Sequence, residues 1–135
     1  MIINTTKRNA LVLVFSMDVM KKSISSKLRE NLGIIKGKKM MKIYKSIIKV
    51  LEEELIIKQD ESDEVIMNVE FTNEQSDMAK EFISTYTNLI EEKAKEEGQD
   101  IEKNVWYTPL QNFVYALLIA EKEEAVMCEG NMVLS

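Results

Sequence analysis

Only five residues in this 135-residue chain are strong helix breakers: Pro109, Gly33, Gly37, Gly98 and Gly130. That scarcity dictates long helices, because Pro removes a backbone donor and Gly loses the most conformational freedom on ordering. Wide stretches between these positions hold no interruption at all. The expected architecture is α+β and mostly helical: four helices with a small sheet of two or three short strands, as one domain over residues 1–135. Apolar residues make up 45% of the chain, enough to bury a core at this length.

The first strand candidate is Ala10-Leu-Val-Leu-Val-Phe-Ser16, a short apolar run rich in β-branched residues. Ser16 or Asp18 then caps a helix whose apolar stripe is Met20, Ile24, Leu28 and Leu32, ended by Gly33. Gly33 to Gly37 connects to a second helix, Lys38 to Ile57, with Met40, Tyr44, Ile47, Ile48, Leu51 and Leu55 on one face. Glu64 to Phe71 alternates, with Val65, Met67, Val69 and Phe71 on the more buried side of a strand. The spacing leaves parallel or antiparallel pairing open.

Thr72 with Gln75 forms a capping box, opening a helix to about Glu97 with Met78, Phe82, Tyr86, Leu89, Ile90 and Ala94 inward. Thr108-Pro109-Leu110-Gln111 signals a fourth helix, capped by Thr108 with Pro at its first position. Leu110, Phe113, Val114, Leu117, Leu118 and Ile119 make it apolar almost all round, which predicts a place at the centre of the core. Gly130 would end it and leave Met132 to Leu134 as an extended tail or third strand.

Charge is divided by position. Residues 1–50 carry twelve Lys/Arg against Asp18 and Glu30, a net +10. Residues 51–135 carry six Lys against twenty-one Asp/Glu, a net −15. Such asymmetry bears on partners and solubility, not on chemistry. Sixteen of the eighteen basic residues are Lys, a composition better suited to diffuse attraction than to bidentate recognition.

The chain contains no His and one Cys, Cys128. It therefore supplies no Ser-His or Cys-His couple, no His-based metal site and no disulfide of its own. Cys128 lies among carboxylates, which disfavour its thiolate. Gly33-Ile-Ile-Lys-Gly37-Lys38-Lys39 has the Gly-Lys helix opening of a phosphate-binding loop. It is one residue short, and Lys39 stands where a magnesium-binding hydroxyl belongs, so a helix–helix connector is the better reading. Asp60 to Glu64 lacks the Gly and distal Glu of a calcium loop and reads as a solvated turn.

Lys38, Lys42, Lys45 and Lys49 recur at helical spacing opposite the apolar face of the second helix. Lys21, Lys22, Lys27 and Arg29 on the preceding helix can join them in one patch. These lysines are the candidate binding site. Trp106, Tyr107 and Phe113 read chiefly as core. With no cofactor motif, the expectation is a non-enzymatic binding or regulatory protein, of inhibitor- or immunity-like character, that docks a larger protein through charged surfaces. Lysine-mediated nucleic-acid binding is the alternative, and a His-free, carboxylate-dependent enzyme is the third. A membrane partner ranks low, because the apolar residues are needed for the core; self-association by charge complementarity is open. The run after Lys7-Arg8 lacks the pattern of a signal peptide, no apolar stretch reaches a bilayer-spanning length, and a cytoplasmic setting is the expectation.

Overall fold

A computed structural model describes the backbone of residues 1–134 and the side chains of residues 1–127. Strand β1 (Ile2–Thr6) leads directly into α1 (Lys7–Ile57), which returns the chain to strand β2 (Ile66–Glu70). Helix α2 (Asn73–Glu96), a 3-10 turn (Ile101–Lys103) and α3 (Tyr107–Leu134) follow. β1 and β2 are antiparallel, with Ile3 opposite Val69 and Thr5 opposite Met67. Those four side chains are buried, while Ile2, Asn4, Ile66, Asn68 and Glu70 face outward.

The mostly helical α+β expectation holds, with one two-stranded sheet. The count of four helices does not: among the described residues there are three α-helices. The first two expected helices belong to the single element α1, which is broken internally at Gly33 (φ 84°, ψ 175°). A residue with a Cβ is strongly disfavoured in that region of backbone space. The chain reverses there, and residues 7–32 and 34–57 form the two arms of a helical hairpin. The hydroxyl of Tyr44 on the second arm donates to the main-chain oxygen of Met17 on the first.

Residues 10–16 are also helical and not a strand. Thr6 caps α1 by accepting from the Asn9 N–H at 3.2 Å, so neither Ser16 nor Asp18 opens a helix. Ala10, Leu13 and Met17 then fall on one face and are fully buried, while Leu11 and Phe15 are exposed. A short apolar run satisfies either period, and packing selects the helical one. The true first strand, Ile2–Thr6, carries β-branched Ile2, Ile3, Thr5 and Thr6, a usable but weak signal.

The second arm buries Tyr44, Ile47, Ile48 and Leu51 as its spacing requires. The Thr72 capping box is complete: the Gln75 N–H donates to Thr72 Oγ1 at 3.1 Å, and the Thr72 N–H to Gln75 Oε1 at 2.9 Å. Gln75 Nε2 also donates to Ser46 Oγ, tying α2 to the hairpin. Phe82 of α2 meets Tyr44 edge-on at 5.9 Å.

α3 starts ahead of the expected cap. Asn104 Oδ1 accepts from the Trp106 N–H, and Pro109 sits at the third helical position, where a missing N–H costs no intrahelical bond. The helix is not enclosed at the centre. Leu110, Phe113, Leu117 and Ala120 are buried, whereas Tyr115, Leu118 and Ile119 face out. Phe113 packs on Phe71, with ring centroids 6.2 Å apart. α3 runs through Gly130 to Leu134, so no third strand forms over 132–134. One Gly late in a helix costs about 1 kcal/mol against Ala, not enough to stop it. The Cys128 side chain lies outside the described residues.

Candidate functional site

The sequence makes the hairpin basic, and the fold makes its outer half prominent. Between Met17 and Gly37 no side chain is fully buried. Met20, Ile24 and Leu28 are half-buried against the core, while Leu32 is exposed. The arms nevertheless approach closely. A Cβ on Gly37 would lie 3.2 Å from the Arg29 Cα and N, so the second glycine permits backbone contact between arms. This is the helix–helix connector reading of Gly33 to Gly37.

Close approach brings Arg29 of the first arm beside Lys38, Lys42 and Lys45 of the second. They line a groove of ≈ 350 Å³ with Ser25, Ile34, Gly37 and Met41. Four cations thus share the groove with the apolar side chains of Ile34 and Met41, and no carboxylate is among the lining residues. Lysines at i, i+3 and i+4 repel one another by a few tenths of a kcal/mol per pair. Concentrating them over a low-dielectric wall focuses the field that an anion would feel.

Not all the predicted site residues converge. Lys49 is exposed on the same arm but does not line the groove, and the same holds for Lys22 on the first arm; Lys21 is half-buried. Arg29 does join the patch. Ser25, Ile34 and Met41 were not legible as site residues, since only the arm pairing brings them together. The Gly33/Gly37 pair was the available signal for that pairing.

Two of the twelve basic residues in the first fifty are used internally. Lys7 Nζ donates to the carbonyls of Gln59 and Glu61 at 3.1 and 2.8 Å. Arg8 pairs with Glu64 at 2.8 Å and, more loosely, with Asp63. The acidic turn is thereby fastened to the start of α1. Among the described residues, no cation from Lys21 to Lys49 forms an ion pair. Lys49 and Glu53, four residues apart on the second arm, do not pair.

The acidic half engages cations elsewhere. Lys80 bonds Glu121 at 2.6 Å, and Ser76 Oγ donates to the same carboxylate at 3.0 Å. The hydrogen bond that Lys80 donates to Glu121 holds the Glu121 carboxyl below the usual range, and the same bond raises the Lys80 ammonium. Among the described residues no group of three or more Asp, Glu or Cys is placed to hold a metal ion. Trp106 is half-buried and stacks on Phe15, with centroids 5.1 Å apart, and Tyr107 donates to Glu91 at 3.1 Å.

No family model matches the chain, and no curated protein or solved structure matches it.

Proposed function

We propose that this protein is a non-enzymatic docking module that binds a larger protein through the basic groove of its helical hairpin. One observation carries the reading: Arg29, Lys38, Lys42 and Lys45 line one groove together with Ile34 and Met41, and no carboxylate is among its lining residues. A groove that mixes cations with apolar side chains suits an acidic amphipathic segment. Its carboxylates would meet the amines and guanidinium, and its apolar side chains would pack on Ile34 and Met41. An inhibitory or immunity-like role fits the small size and dense charge.

The test is retrieval of partner proteins from the native cell with the unmodified protein and with Lys42→Glu/Lys45→Glu. The expected result is a discrete protein retained by the first, absent with the second, and released by salt. Retention that charge reversal leaves unchanged, or a protein that stays alone under mild lysis, would overturn the reading.

A second reading draws on the alignment of Lys38, Lys42, Lys45 and Lys49 along about 16 Å of helix. Nucleic-acid phosphates could follow such a line. Four neutralised phosphates predict a log–log salt slope of about −3.6 on duplex DNA. Absence of retention on DNA or RNA at low salt would end it.

A further inference from the structure

We propose that the turn of the hairpin is a peripheral membrane contact, which inserts Leu32 and Ile35 into the headgroup region of an anionic lipid surface. The inference does not rest on the groove, because neither residue lines it. Ile35 is 86% exposed, Ile34 64% and Leu32 42%. These three flank Gly33, where the chain reverses. The core therefore leaves unused the apolar side chains at the apex of the hairpin.

Two features favour lipid over a protein surface at this position. First, the apolar groups sit at the apex of a reversal and form a projection. A projection needs a matching pocket on a protein, whereas a fluid headgroup layer accommodates it without one. Second, cations outnumber the single carboxylate, Glu30, on the stretches of both arms next to the apex. Lys27, Lys36 and Lys39 are exposed, lie outside the groove and form no ion pair among the described residues. No Asp or Glu occurs between Glu30 and Glu52. Lysine stems can lie along the acyl boundary while their amines reach lipid phosphates, and a cluster of such amines favours anionic membranes. Among the described residues no helix is long and apolar enough to cross a membrane, so the contact proposed is with one leaflet surface.

The test is sedimentation with vesicles of phosphatidylcholine alone and of phosphatidylcholine with phosphatidylserine, at low and high salt. The unmodified protein should bind the anionic vesicles only, and high salt should weaken binding. Leu32→Ser/Ile35→Ser should weaken it about tenfold or more, and Lys36→Glu/Lys39→Glu should abolish it. Both pairs are exposed, and circular dichroism will show whether the helices remain. In a Cys128→Ser background, an environment-sensitive dye on Ile35→Cys should shift to the blue with anionic vesicles. No binding at low salt overturns the proposal, as does binding unaffected by the serine pair or an unshifted dye. Retention of DNA without retention of vesicles also overturns it. The groove is tested separately, since Lys42→Glu/Lys45→Glu should lose the protein partner while the dye shift persists.

Discussion

The hydroxyl of Tyr44 reaches across the hairpin and donates to the main-chain oxygen of Met17. This bond lies where the buried part of α1 gives way to the outer half that bears the candidate sites. Burial first, and the charge of Asp18 second, raise the phenol far above its ordinary range. The neutral, donating form therefore persists; its contribution is fully present below the ordinary phenol range and is lost as pH rises from there through the elevated folded value.

Tyr44→Phe should destabilise the protein by about 1 kcal/mol, the usual net loss for one intramolecular hydrogen bond. Urea unfolding checks it as a lower midpoint at unchanged slope.

Gly33→Ala should cost about 1–3 kcal/mol, because φ near +84° with extended ψ is a region reserved for glycine. Gly37→Ala acts differently. Its φ is ordinary, but the new methyl meets the Arg29 backbone at 3.2 Å, so the arms must separate at a cost of about 1–3 kcal/mol. Thermal unfolding measures both losses. An amide-exchange comparison should show faster exchange around residues 29 and 37 in the second variant.

Ser16 is fully buried, and its Oγ has no hydrogen-bond partner among the described residues. Ser16→Ala removes an unsatisfied hydroxyl with little change of volume and should stabilise by up to about 1 kcal/mol. A raised urea midpoint is the expected reading.

The Lys80–Glu121 pair predicts a pH dependence with a definite sign. Glu121 is lowered in the folded state, so its contribution is present above the ordinary carboxylate range and is lost as pH falls through the folded value. Lys80 is raised, so its share is present below the ordinary ammonium range and is lost as pH rises through the folded value. Glu121→Gln should cost about 1 kcal/mol near neutrality, given the partly exposed setting. Unfolding midpoints against pH for the two proteins should converge in strong acid.

Lys42 lies one turn from both Lys38 and Lys45, so Lys42→Gln should raise stability by about 0.3 kcal/mol while weakening the proposed docking. Opposite signs in an unfolding curve and a partner-binding titration would mark the stripe as kept at a cost to stability.

The legible parts of the fold were those with redundant local signals. The Thr72–Gln75 capping box, the alternation around Met67 and Val69, and the apolar face from Tyr44 to Leu51 each combine residue type with spacing. The start of α1 lacked that redundancy. The run from Ala10 to Ser16 suits a strand or a helix, and the Thr6 cap becomes meaningful only when Ala10, Leu13 and Met17 find a core. α3 shows the same limit. Its sequence is apolar on nearly every side, yet among the described residues its buried apolar side chains are Leu110, Phe113, Leu117 and Ala120, with Val114 and Ala116 partly covered.

For the candidate site, the sequence by itself determined the ingredients: Gly33 and Gly37 four residues apart, lysines at one-turn spacing, and no acidic residue from 31 to 51. It also determined that no His-based chemistry is supplied by the chain. Tertiary structure decided which charges meet. It tied Lys7 and Arg8 to the acidic turn, brought Arg29 beside Lys38, and left Leu32 and Ile35 at the apex. Spacing along a helix places residues on a face, but only the packing of one arm against another determines what that face encounters.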